Sequence, residues 1–203
     1  ALVPDLGLPL LLQAHLEQLA GDADLARELL LAASQKDTTW LPLSEIIRLK
    51  IADELASGRK PTEALASITT TNFPPYLHLA PVLRGFLPAE GDAEPLSRAE
   101  TARAVFTFGG ALQEDGLSII ENLVGHSIVA GAARSIEGIG ELSAEEQLLL
   151  KRGESLRGEV RIEGDMAMEI LADPGAAQRY LENLAAHGER RAARRALMDY
   201  LAR

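Results

Sequence analysis

The stretch that decides the fold is residues 115–150, DGLSIIENLVGHSIVAGAARSIEGIGELSAEEQLLL. It contains two helix starts of one design, Ser118-x-x-Glu121 and Ser143-x-x-Glu146. In such a capping box the Ser hydroxyl accepts from the amide three residues on, and the Glu carboxylate reaches back to the Ser amide. Ile120, Leu123, Val124, Ile128 and Ala132 follow Ser118 at close to a 3.6-residue repeat. That spacing predicts a helix over 118–136 with those residues on its buried side. The same helix carries Gly125, Gly131, Ala130, Ala132 and Ala133. Glycine in a helix interior costs about 1 kcal/mol relative to alanine, so the cluster needs a compensating contact. A neighbouring helix approaching at short range supplies one, and Gly109-Gly110 offers the matching surface. The run is no membrane span, because Glu121 and Arg134 leave only twelve uncharged residues between them.

Helix punctuation continues on both sides. Ser97-x-x-Glu100 is a third capping box. Pro9 suits the first turn of a helix that Gly21 closes, and Asp22 or Asp24 caps the next. The short break between these two predicts an antiparallel hairpin. Ser44 caps a third helix ended by Gly58, and Pro61 starts a short one. Residues 77–87 form another, interrupted at Pro81. Asp173-Pro174 pairs an N-cap with a first-turn proline, Gly188 ends that helix, and a last one starts at Glu189. Strand signals are poor. Glu159 to Glu163 alternates, but the apolar series from Leu148 to Ile170 carries a helical spacing across it. The fold class is therefore all-α, an irregular array of consecutive antiparallel helical hairpins with a solenoid-like tendency and about nine or ten helices. Residues 1–203 are read as one helical domain. The proline-rich stretch 69–96 is where it would subdivide, into 1–68 and 97–203.

Composition bounds the function. The 203 residues are 47% hydrophobic and 25% charged, which is globular rather than disordered. Zero cysteines exclude disulfides, thiolate metal sites and a Cys nucleophile. A net charge of −10 disfavours nucleic acid as a partner, and 4% aromatic residues are too few for stacking platforms. No run of 18 apolar residues occurs. The chain begins at Ala1 rather than Met, which suits removal of an N-terminal targeting or anchor segment and a periplasmic or other extracytoplasmic location.

Residues 97–142 resemble a group of uncharacterised bacterial helical-hairpin proteins. The likeness rests on Leu117-Ser-Ile119-Ile120-Glu-Asn-Leu123-Val124-Gly125, with Ala104 to Glu114 before it and Ile128 to Ile136 after it. It covers under a quarter of the chain. It implies that this region is packing, and no catalytic residue travels with it.

The chemistry-bearing residues are few. His15, His78, His126 and His187 are scattered, with no His-x-x-x-His or Glu-x-x-His to place two ligands on one helix face. His126 stands out within the uncharged run, with Asn122 one turn earlier as its hydrogen-bond partner. The carboxylates Glu159, Glu163, Asp165 and Glu169 alternate with Arg157 and Arg161, which reads as a solvated surface. No Gly-x-Ser-x-Gly, Ser-x-x-Lys or His-Glu-x-x-His motif occurs. Arg190, Arg191, Arg194 and Arg195 gather on one face of the last helix, a local positive patch able to dock an acidic partner or anionic lipid head groups. These features point to a non-enzymatic binding or scaffold protein that takes a protein or peptide partner, a homodimer included. The competing reading is a small-ligand binder or enzyme with a pocket at His126 and Asn122. No cofactor and no metal site are expected, so elemental analysis of the purified protein should find no stoichiometric zinc or iron.

Overall fold

The computed structural model describes residues 6–36, 43–64, 67, 76–87, 95–116, 118–156 and 173–201. Its helices are α1 (Leu8–Ala20), α2 (Ala23–Ser34), α3 (Leu43–Ala56), α4 (61–64), α5 (Tyr76–Gly85), α6 (Pro95–Asp115), α7 (Ile119–Glu137), α8 (144–156), α9 (Pro174–His187) and α10 (Glu189–Leu201). No β-strand occurs among the described residues. The protein is all-α. No helix among them is long and apolar enough to cross a membrane. Glu159, Glu163, Asp165, Glu169, Arg157 and Arg161 lie outside the described residues.

Helix ends follow local chemistry. Ser118 and Glu121 cap α7 reciprocally: the Ser118 amide donates to Glu121 Oε2 at 2.9 Å and the Glu121 amide to Ser118 Oγ at 3.1 Å. Ser143 and Glu146 do the same for α8, at 2.6 and 3.2 Å. Asp22 accepts from the Leu25 amide at 3.1 Å, and Asp173 from the Gly175 amide at 2.8 Å. Gly21 closes α1 at φ 89°, a left-handed conformation that costs glycine nothing. The third expected box is different. α6 begins at Pro95, whose fixed φ suits a first helical position, so Ser97 falls inside the first turn. Its hydroxyl accepts from Arg27 Nη1 at 2.7 Å instead. Pro81 lies within α5 rather than interrupting it.

The chain forms two compact units from interleaved segments, a partition that no single cut produces. Unit 1 comprises 1–41, 75–115 and 123–154. In it α1 packs on α2 and α2 on α6. Leu11, Leu30, Leu83, Val105, Phe108, Ile128, Val129 and Ile136 are its large buried side chains. Unit 2 comprises 42–74, 116–122 and 155–203. In it α9 packs on α10 and on α3, around Ile51, Ala64, Leu181, Leu184 and Ala192.

Unit 1 turns on glycines where helix backbones meet. A Cβ on Gly125 of α7 would strike the Gln113 amide nitrogen of α6, with Gly109 O 2.7 Å away and Gln113 Cα at 2.8 Å. A Cβ on Gly109 would lie 2.8 Å from Ile128 Cγ2 and 2.9 Å from the Val129 amide nitrogen. A Cβ on Gly110 would lie 2.7 Å from Leu149 Cδ2 of α8. Gly109, Gly110 and Gly125 are therefore crossing residues, as the small-residue cluster predicts. The apolar face expected for α7 is corrected. Ile120 is 47% exposed and Leu123 and Val124 only partly buried, whereas Gly125, His126, Ile128, Val129, Ala132, Ala133 and Ile136 are buried. The glycine side faces inward because only that side lets the α6 backbone approach, and this rotates the bulkier residues outward.

Two substitutions separate crossing from propensity. Gly125→Ala should lower the melting temperature, the overpacking cost of about 1–3 kcal/mol exceeding the helix gain. Gly131→Ala should raise it by a gain of about 1 kcal/mol, since its Cβ would meet only Leu87 Cδ1, at 3.5 Å. Thermal unfolding of the two variants beside the parent chain checks both signs.

Candidate functional site

The two residues expected to line a pocket are both buried, in packed surroundings. His126 is 3% exposed, on the inward side of α7. It is wedged against α8: a Cβ on Gly153 would strike the imidazole, with its Cγ and Gln113 Oε1 each 2.6 Å away. Gln113 Nε2 donates to the Leu149 carbonyl at 2.8 Å, so α6, α7 and α8 meet around this ring. Asn122 is buried too, and its amide donates to the Gly116 carbonyl at 3.0 Å, closing the turn that leads into α7. These are the contacts of a helix crossing and of a turn.

The arginines of α10 are arranged differently. Arg191, Arg194 and Arg195 are exposed and Arg190 is partly buried, while Ala192 and Ala193 are buried. At 100° per residue Met198 falls within the arc swept by Arg190, Arg191, Arg194 and Arg195. It is 62% exposed. The face is thus a cationic patch with an apolar knob inside it.

Two further surfaces went unrecognised in the sequence. On α1, Leu12, Leu16 and Leu19 are 45, 63 and 71% exposed, spaced four and three residues apart. Pro9 and Ala20 extend the stripe and no charged residue interrupts it. Leu8, Leu11 and Ala14 already form the buried side of the same helix. The signal was in LPLLLQAHLEQLA, which carries more leucines than one buried face uses. The second surface is an open cleft of about 670 Å³ lined by Asp22, Asp24, Leu25, Glu28 and Leu31 on the α2 side and by Ser97 and Glu100 of α6. Arg27 lines it as well, tied to Ser97 and, at 3.3 Å, to Asp24 Oδ1. Four carboxylates against one guanidinium make the cleft acidic.

Among the described residues of unit 2, Glu189 carries a perturbed carboxyl group. Glu189 opens α10, and its Oε2 accepts from the Ile119 amide at 2.8 Å, at the N-terminus of α7. Burial pushes its pKa above the ordinary glutamate value of 4.5. The neighbouring Glu121 carboxylate adds to that rise, against the hydrogen bonds from the Ile119 amide and from Tyr180. Among the described residues no group of three or more His, Asp or Glu side chains is placed to hold a metal ion.

No family model matches the chain, and comparison with curated proteins and with solved structures likewise yields no match.

The Glu189 carboxyl makes stability depend on pH in a definite direction. Its folded pKa is raised, so the folded state binds the proton more tightly than the unfolded one. Its contribution to stability is complete below about 4.5 and declines as pH rises through the folded value. Glu189→Gln keeps an oxygen for the Ile119 amide and carries no charge. The variant should therefore be more stable than the parent at pH 7, by about 1.4 kcal/mol for each unit of the rise, and equal to it below pH 4. Urea unfolding of the pair at the two pH values measures this difference.

Proposed function

We propose that this chain is a non-enzymatic helical binding or scaffold protein that recognises a protein or peptide partner, with the exposed face of α1 as its docking surface. The observation that carries the reading is the stripe of Leu12, Leu16 and Leu19 standing in solvent at helical spacing. An amphipathic helix laid along it would cover residues four and three apart with its own apolar seam. Burying what each leucine now exposes would contribute roughly 1–2 kcal/mol. The stripe stands on a rigid base, because Leu11, Ala14, Leu30 and Ala33 are fully buried in the α1 and α2 helices. The α6–α7 hairpin, on which the resemblance to bacterial helical-hairpin proteins rests, acts in this reading as packing beneath the binding surface.

The pocket reading centred on His126 and Asn122 has less support. Both side chains are enclosed by helix and turn backbone, and a ligand needs a concave, accessible space.

A photo-crosslinking residue in place of Leu16 should capture a specific protein in cells of the source, and one in place of Glu182 of α9 should not. The captured protein, purified, should bind the parent chain. Leu16→Glu should weaken that binding by tenfold or more, since it leaves a charge in an apolar seam (~1.4 kcal/mol or more), with the circular dichroism spectrum unchanged. Unaltered affinity of Leu16→Glu would remove α1 as the docking surface.

A further inference from the structure

We propose that the arginine face of α10 docks, in a second copy of this chain, onto the acidic cleft beside α2. The proposal stands on observations other than those at α1, and it names the occupant of the α10 face.

Four observations converge on it. The first is that both surfaces are open in the single chain. Arg191, Arg194 and Arg195 are exposed, Met198 is 62% exposed, and the Asp24 side chain is 92% exposed. The second is charge. The cleft lining holds Asp22, Asp24, Glu28 and Glu100 against Arg27, while on α10 Arg191, Arg194 and Arg195 stand around Met198, and Asp199 at the edge of that face is paired with Arg179 at 3.9 Å. Arg27 is already engaged by Ser97 and by Asp24 Oδ1, which leaves Glu28, Glu100 and the second carboxylate oxygen of Asp24 as exposed acceptors.

The third is register. In α2 the cleft residues Asp24, Glu28 and Leu31 are four and three residues apart. In α10, Arg191, Arg195 and Met198 have the same spacing. Two helices laid parallel with these triplets aligned set Asp24 against Arg191, Glu28 against Arg195 and Leu31 against Met198. Each triplet spans seven residue-to-residue steps, about 10 Å at 1.5 Å per step, so all three pairs meet within one seam. The fourth is chemistry. Guanidinium groups donate to carboxylates in a two-pronged geometry, and the apolar pair at the end of the seam excludes water from one side of it.

The net charge of −10 does not oppose such a contact at ordinary salt. Charges farther apart than about 10 Å are largely screened at 0.1 M, whereas paired groups in contact are not. The two surfaces differ, so the contact is heterologous, and copies add head to tail or close into a ring.

The test is sedimentation equilibrium across micromolar to submillimolar concentrations, at low and high salt. The parent chain should rise above its monomer mass of 21.8 kDa with concentration, and less so in high salt. Arg191→Glu with Arg195→Glu, and separately Asp24→Arg with Glu28→Arg, should each weaken association by about tenfold or more. Mixing the two variants should restore it, because each now carries the surface that complements the other. Asp24 lies in the first turn of α2, so Glu28→Arg alone, mixed with Arg195→Glu alone, repeats the test where the doubly altered α2 unfolds.

A monomer at every concentration overturns the proposal. So does association that survives both reversals, or a mixture that fails to restore it. Association lost in Leu16→Glu but not in the charge reversals would assign self-contact to α1 and overturn the α10 proposal, leaving α1 as a docking face. Binding of the parent chain to phosphatidylglycerol vesicles, lost in the arginine variant while its mass stays that of the parent, would give the α10 face to a lipid surface instead.

Discussion

Unit 1 depends on two helix backbones standing closer than side chains allow. Gly125 of α7 has the Gly109 carbonyl and Gln113 backbone of α6 within what would be its own Cβ shell, and Gly109 has Val129 within its own. The contact is reciprocal, so each glycine makes room for the other helix. Interior glycines weaken isolated helices by about 1 kcal/mol each, and the dense contact between the backbones offsets that loss. Gly110 and Gly153 extend the arrangement to α8, and Gln113 and Arg152 tie α6 and α8 together at 2.8 and 2.7 Å. The position of His126 follows from this geometry. Its ring occupies the space that the missing Gly153 side chain leaves.

α7 also begins in one unit and continues in the other: residues 116–122 belong to unit 2 and those from Leu123 to unit 1. Its N-terminus receives two carboxylates, Glu121 from its own capping box and Glu189 from α10. A helix N-terminus favours negative charge, and a second carboxylate there is welcome only so far as burial and repulsion permit. That balance is why Glu189 holds its proton more tightly than a solvated glutamate does.

The surfaces carry the functional reading. Among the described residues some large apolar side chains are exposed singly, Leu49, Ile120 and Leu148 among them, and others stand together. Three leucines of α1 share one stripe, and Met198 stands among the arginines of α10. Contiguous apolar surface of this kind marks contact sites more often than scattered single residues do. Charge is sorted as well, acidic at the α2 cleft and basic on α10, in a chain that is acidic as a whole.

The amino-acid sequence by itself determined the helical class and most helix ends. The signals there are local: Ser118 with Glu121, Ser143 with Glu146, Asp22, Asp173 with Pro174, and Gly21 each act within one turn of where they stand. It also marked Gly125, Gly109 and Gly110 as a crossing, since interior glycines need a compensating contact. Only the tertiary structure decided which side of α7 faces inward, that Ser97 serves Arg27 rather than a cap, and that the Asn122 amide reaches back to the Gly116 carbonyl. It alone showed the exposure of Leu12, Leu16 and Leu19. A periodic leucine reads the same in a sequence whether it meets a neighbouring helix or water, because burial belongs to the partner across the gap and no local pattern names that partner.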